Sequence, residues 1–418
     1  MTVSTGGQII DSVALGQADL TGPVPAGVDV QYRIGSLTKT LTAVAVMQLV
    51  GEGRLELNDT LGSVWPNAPH PQLTIGALMR HSSGLQREPV GEVWESLEAP
   101  SYEELAVTAG QARHLYPEDT WWHYSNLGFA LLGGLVARLR GDSWESQVKE
   151  RILQPLGMSR TTVAPESPAA QGYSVSPYSD HVTPELPVDI RGLAPAGQLW
   201  STASDLARWV SFLLRGHPDV LSKEVLEFMR FPRSMLDLEQ WTAGYGTGLM
   251  LLRGRTSVAV GHTGGIQGFL AAAFGSVRLG TEVVILTNTS SGPKVTSMAV
   301  EALDLIAGDL EERPIWKPAE APPAAVAPIL GHWWSEWSEW IFQWRDGQLQ
   351  GLPVDAPVGT GLERYRQLAD DLFVTVEGPE RGEELRVIRG PGGSVVKMYR
   401  STYLFTRLPE SAGLDSTG

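Results

Sequence analysis

Tyr32-Arg33-Ile34-Gly35-Ser36-Leu37-Thr38-Lys39 runs into a segment that is apolar nearly all round, with Leu41, Ala43, Val44, Ala45, Val46, Met47 and Leu49 before Gly51 and Gly53. A helix with no polar face is buried, so this spacing predicts a core helix opening near Ser36 and stopped by the two glycines. A serine followed three residues later by a lysine puts both side chains on one face of such a helix. There the amine can take the serine proton, while the helix N-terminus adds backbone N–H groups and a positive dipole end. Only six of the 32 basic residues are lysines. In a chain that prefers arginine a buried lysine stands out, because it can give up its proton and arginine cannot.

The bare Ser-x-x-Lys pattern occurs four times, as Ser36…Lys39, Ser146…Lys149, Ser291…Lys294 and Ser394…Lys397. Context separates them. Ser146 sits in the polar stretch 142–150, read as a solvated helix face, and Ser291 precedes Gly292-Pro293 in a turn. Ser394 follows Pro391-Gly392-Gly393 and enters an alternating strand, where positions three apart face opposite ways. Only Ser36 follows a glycine and opens a buried helix. Taken alone, it reads equally well as a capping residue.

Outward from this helix, residues 2–20 read as a hairpin about Gly6-Gly7. From 59 to 240 the pattern is mostly helical with long turns. Its clearest helices are 127–139 and 204–214, the latter capped by Ser204 with Asp205 in the first turn. After Gly244 the period becomes that of strands, over 247–253, 256–262, 268–275 and 281–288, before an amphipathic helix at 295–310. Strands at both ends of 1–312 around a helical insertion predict an α+β domain. Its antiparallel sheet takes its edges from the two ends of that segment and carries helices on both faces. The Pro/Ala-rich stretch 313–329 reads as a semi-rigid linker outside any core. Beyond it, 330–410 reads as a small all-β, barrel-like domain with a turn at Asp346-Gly347, and 411–418 as a flexible tail. Five tryptophans fall between 333 and 344 and are expected to fill a barrel core rather than a ligand site.

The chain has 418 residues, 42% apolar and 19% charged, enough hydrocarbon for two sizeable cores. Its net charge of −15 gives no electrostatic reason to sit on phosphate, which excludes nucleic acid and anionic membrane as expected partners. Cysteine is absent, so thiol nucleophiles, disulfides and Cys–metal sites are ruled out. No export signal opens the chain and no run of about 18 apolar residues is long enough to span a bilayer, so the cytoplasm is the expected compartment. No cofactor or metal is expected. The expected partner is a small-molecule or short-peptide substrate.

Two further motifs carry chemistry. Tyr124-Ser125-Asn126 is the only Tyr-x-Asn and follows Trp121-Trp122-His123. It reads either as a core tyrosine with an N-cap asparagine, or as a phenol proton shuttle with an amide donor to substrate or Lys39. For the phenol to act as a phenolate at neutral pH its pKa must fall about three units, which a Lys39 ammonium nearby would help to supply. His262-Thr263-Gly264-Gly265, the only His-x-Gly, reads either as a glycine-rich hairpin or as a strand edge that substrate can approach, with one N–H pairing with that of Ser36 as an oxyanion hole. Trp121 and Trp122 are expected as walls of a bulky apolar pocket.

In the order Ser-x-x-Lys, Tyr-x-Asn, His-Thr-Gly, the chain resembles the serine β-lactamase and penicillin-binding-protein superfamily, in particular its class C β-lactamase-like branch of esterases, D-aminopeptidases and D,D-peptidases. The likeness extends through 78–85, Pro155-Leu156-Gly157-Met158, 196–206 and Gly261 to Gly265, and covers about 2–312. It implies a β-lactamase/transpeptidase-like fold and a serine hydrolase working through an acyl-enzyme. Ser36 would be the nucleophile, Lys39 its partner and Tyr124 the general base and acid. Asn126 would contact substrate amide and Lys39, Ser36 and Gly265 would form the oxyanion hole, and His262, Thr263 and Gly264 would line the substrate.

His262 stands where the pattern has lysine. A neutral imidazole weakens recognition of a substrate carboxylate and favours esters or uncharged acyl groups. The chain also begins at the first hairpin without a leading segment, which points away from a cell-wall role. The rival readings are a catalytically inactive binding or assembly protein on the same fold, and a true β-lactamase or D,D-carboxypeptidase.

Overall fold

The N-terminal hairpin forms as expected, β1 (Thr2–Thr5) and β2 (Gln8–Ser12), turned by Gly6 and Gly7 at φ +60° and +75°. In this computed structural model the described residues are 1–310 and 321–409, apart from 23, 177, 178, 180, 187, 291, 358 and 359. The chain divides into two units, Met1–Glu312 and Arg313–Gly418.

In the first unit the hairpin joins six later strands. These are β3 (Ser234–Met235), β4 (Ala243–Tyr245), β5 (Met250–Arg253), β6 (Val258–Ile266), β7 (Phe269–Ser276) and β8 (Thr281–Thr287). Their order is β2-β1-β8-β7-β6-β5-β4-β3, with every pairing antiparallel. One expectation about the edges is corrected. The last strand, β8, is interior, because Thr2 to Thr5 pair along Val284 to Thr281 and push it inward, and the second edge is β3.

Four helices matter for the site: α1 (Thr38–Gly51), α2 (Asn126–Arg140), α3 (Ala203–Arg215) and α4 (Val295–Leu310). Period-2 alternation on β7 divides the two faces of the sheet. Ala271 and Ala273 share a core with Leu206, Trp209 and Val210 of α3, whereas Ala272 and Phe274 meet Val295, Ala299 and Leu303 of α4. The cap of α3 is Thr202, whose side chain accepts from the Asp205 amide, and not Ser204, whose hydroxyl turns out to Asp29.

Every residue of α1 from 38 to 49 is buried, as the all-round apolar pattern requires. Its hydroxyls are paired. Thr40 accepts from the Trp209 indole at 2.8 Å and donates to Leu37, and Thr42 accepts from the Trp144 indole at 3.0 Å and donates to Pro195. Leaving one such buried group unpaired costs about 1–3 kcal/mol, so these threonines also fix how the neighbouring elements dock.

The second unit is an eight-stranded antiparallel sheet in sequence order: β9 (Gly331–Ser335), β10 (Ser338–Arg345), β11 (Gln348–Pro353), β12 (Glu363–Ala369), β13 (Leu372–Glu377), β14 (Glu384–Arg389), β15 (Val395–Arg400) and β16 (Tyr403–Phe405). A bridge between Trp334 and Thr406 brings its ends together into a nearly closed barrel. Asp346 and Gly347 turn the β10–β11 hairpin with φ of +52° and +71°. The tryptophans divide: Trp333 and Trp340 lie in the core and Trp344 packs on it, whereas Trp337 is exposed at a turn. The linker expectation is corrected at its end, since Val326 and Ile329 are buried in this core. Residues 313–320 and 411–418 lie outside the described residues.

Candidate active site

β6 outruns its neighbour. Residues 258–261 pair with β5, but 262–266 pair only with β7, which vacates one edge of the strand. The turn Gly35–Leu37, at the head of α1, takes that edge. The approach is so close that a Cβ on Gly264 would lie 1.9 Å from the Ile34 carbonyl, and one on Gly35, at φ +50°, would lie 2.9 Å from the Gly265 amide. Only glycine fits at both positions. Their lack of side chains brings the backbone of Gly264 and Gly265 against that of Ser36.

Lys39 is fully buried, yet its ammonium position has three partners. Nζ lies 3.1 Å from Ser36 Oγ, 2.6 Å from Asn126 Oδ1 and 2.7 Å from the Ala196 carbonyl. Burial pushes its pKa well down, with the Arg87 charge adding to that and Glu88 opposing it. The partners suit a neutral amine: two are oxygens that only accept, and the third is a hydroxyl able to donate.

Tyr124 lies beside the pair, its ring centre 4.8 Å from Lys39 Nζ and its phenol near enough to Ser36 for the serine hydroxyl to act on its pKa. Burial pushes its pKa up, Ser36 and Arg87 pull it down, and Glu88 raises it. The phenolate expectation is therefore corrected: burial raises the Tyr124 pKa and favours the neutral phenol. The cap of α2 is Ser125, whose hydroxyl accepts from the Gly128 amide at 2.9 Å. Asn126 is thus the first helical residue, and its side-chain carbonyl, not needed as a cap, accepts from Lys39.

His262 does not face a substrate. It is buried on β6, its Nδ1 bonded to the Thr263 carbonyl at 2.5 Å and its Nε2 to the Tyr245 hydroxyl at 3.1 Å. A carbonyl only accepts, so Nδ1 carries the proton and Nε2 takes the phenol's. Burial lowers its pKa to about 3. It is a neutral ring supporting the strand, and its expected role as a substrate contact is corrected on that ground. Thr263, half-buried, alternates to the opposite face. Trp122 is half-buried with its ring centre 6.0 Å from that of Tyr124, while Trp121 is 58% exposed. Both line an open groove of about 730 Å³ with Arg80, Arg233, Met235 and Leu238.

Sequence reasoning missed Ala196, Arg87 and Glu88. The Arg87 guanidinium lies 4.8 Å from the Tyr124 ring centre, and its Nε is 3.4 Å from Glu88 Oε1. Nothing in local periodicity marks these residues: Arg87 and Glu88 reach the site through a loop, and Ala196 through a helix of only four residues, Ala194–Gly197. Of the other Ser-x-x-Lys pairs, Ser146 bonds to Ser143 and Glu150 on an exposed helix surface, Ser394 leads into β15, and Ser291 lies outside the described residues.

With the site in view, comparison with known proteins decides the lineage. The Beta-lactamase family model matches residues 1–307. The chain belongs to the beta-lactamase family. Residues 322–407 match a domain of unknown function, DUF7586. Penicillin-binding protein 4 of Amycolatopsis lactamdurans is 28% identical over 327 residues, covering 72% of this beta-lactamase-family chain and 84% of that protein. A D-stereospecific amidohydrolase from Streptomyces sp. superposes with a TM-score of 0.59 at 27% identity, over 66% of this chain and 86% of the other. The octameric penicillin-binding protein homologue from Pyrococcus abyssi shares the fold, with a TM-score of 0.66 at 22% identity over 97% of this chain and 94% of that one. No helix among the described residues is long and apolar enough to cross a membrane.

Proposed function

We propose that this protein is a serine hydrolase acting through a covalent acyl-enzyme on ester or amide substrates. The observation that carries this reading is the buried Lys39 amine 3.1 Å from Ser36 Oγ, with its other partners both acceptors. Ser36 attacks the substrate carbonyl carbon as its proton passes to Lys39 Nζ. The carbonyl becomes an oxyanion facing the Ser36 and Gly265 amides, donors held in place by glycine contacts rather than reorganised during the reaction. Collapse expels the leaving group, which takes a proton from the Tyr124 phenol, and the proton on Lys39 restores it. Water then repeats the sequence on the acyl ester and regenerates Ser36.

The charge beside Tyr124 supports neutral acyl groups, because the Arg87 guanidinium is paired with Glu88. The D-stereospecific relative makes D-amino-acid amides a reasonable member of a substrate panel. Short-chain p-nitrophenyl esters should turn over with a higher kcat/KM than cephalosporins; efficient cephalosporin turnover would overturn the ester preference. A serine-directed phosphonate should add its mass to the peptide carrying Ser36, whereas an inactive binding or assembly protein would remain unmodified.

A further inference from the structure

Residues 81–88 brace the Tyr124 segment. The His123 amide donates to the His81 carbonyl at 2.7 Å, and the Asn126 and Leu127 amides donate to that of Arg87 at 2.8 and 3.1 Å. The Ser125 amide donates to His81 Nδ1 at 3.1 Å and its hydroxyl to the Gln86 carbonyl at 2.8 Å. At the end of the brace, Asn126 Nδ2 donates to Glu88 Oε1 at 2.6 Å.

That last bond has a direction. A carboxylate has no proton to give, so Asn126 must present its NH2 to Glu88 and its carbonyl oxygen to Lys39. The carbonyl in turn only accepts, so Lys39 donates to it, as it does to Ala196. A neutral amine then has one lone pair left, and it faces Ser36. With Asn126 turned the other way, its NH2 would occupy that lone pair and leave the serine proton without a receiver. Resting on the hydrolase reading, we infer that Glu88 is a positioning residue whose carboxylate orients the chain Glu88–Asn126–Lys39–Ser36, so that it ends with the serine hydroxyl donating to the amine.

The charged and titratable groups about Lys39 are Glu88, Arg87, Tyr124, His81 and His262. Burial keeps both histidines and the phenol neutral, and Arg87 opposes protonation of the amine, so Glu88 is the one group of these that favours it. Its charge therefore holds the acid limb of the pH–rate profile at a higher pH than Lys39 would show without it.

The test uses the full chain and a p-nitrophenyl ester, with phosphonate labelling to count active sites. Glutamine at 88 can present either its oxygen or its NH2 to Asn126, so orientation is lost. Glu88→Gln should lower kcat per labelled site about ten- to a hundredfold, the range for removing the partner of a positioned group, with little change in KM. Its acid limb should move to lower pH. Glu88→Asp, which keeps the charge, should recover part of kcat with the limb where wild type has it. Unchanged kcat in Glu88→Gln would overturn the inference, as would a fall with an unmoved limb, the mark of a merely structural loss. Should Glu88→Gln fail to fold, a shifted limb in Glu88→Asp does the same. Wild type that neither labels nor turns over sinks the hydrolase reading instead, so the two failures are distinct.

Discussion

Ser36→Ala is expected to lose both ester turnover and phosphonate labelling, with kcat falling on the order of a millionfold, the scale of a lost serine nucleophile. The fold should survive. Ser36 is half-buried in a turn held by the Leu37 to Ile34 backbone bond and by glycine contacts that alanine at 36 leaves untouched. An unchanged thermal transition beside abolished turnover is the expected pair of results. Residual turnover comparable to wild type would show that another nucleophile acts.

Lys39→Met is expected to cost about 10²–10⁴-fold in kcat, the range for a general base, or about 3–5 kcal/mol of transition-state stabilisation. Methionine fills the buried volume but offers no lone pair, and it leaves Asn126 Oδ1 and the Ala196 carbonyl without their donor. Two acceptors unpaired at about 1–3 kcal/mol each should also lower the melting temperature measurably. On the proposed mechanism the amine acts in its neutral form. An ordinary lysine, with a pKa near 10.4, would be neutral in only about one molecule in a thousand at pH 7.4. Burial lowers the Lys39 pKa, so activity should persist at neutral pH and disappear as pH falls through that lowered value. A rate that instead rises only as pH approaches the ordinary lysine range would remove Lys39 from its role.

What the sequence disclosed tracks how local the physics is. The buried helix and the Ser36–Lys39 pair follow from spacing within one element, and both were legible. The hairpins at Gly6-Gly7 and Asp346-Gly347 were equally local. Tyr124 and Asn126 lie 85 or more residues from Lys39, and only the resemblance brought them together; the Lys39–Asn126 bond spans 87 positions. The state of His262 depends on Tyr245 on β4, which no motif includes, so a residue-type argument placed the imidazole before substrate when the fold turns it inward. Thr202 and Ser204 are both good capping residues two positions apart, and propensity does not choose between them. Val326 and Ile329 were hidden by their proline-rich surroundings, although two apolar side chains suffice to anchor that segment in the barrel.

The glycine contacts between the Ser36 turn and β6 divide this enzyme-like scaffold into a rigid part and an adaptable part. At 35 and 264 every larger residue collides with backbone, which has no rotamer to retreat into. On the hydrolase reading, variation in substrate must come from elsewhere, and the groove edged by Trp121, Arg233 and Leu238 has the room. A library confined to those loop positions is expected to shift ester selectivity while leaving the backbone contacts at 35 and 264 unchanged.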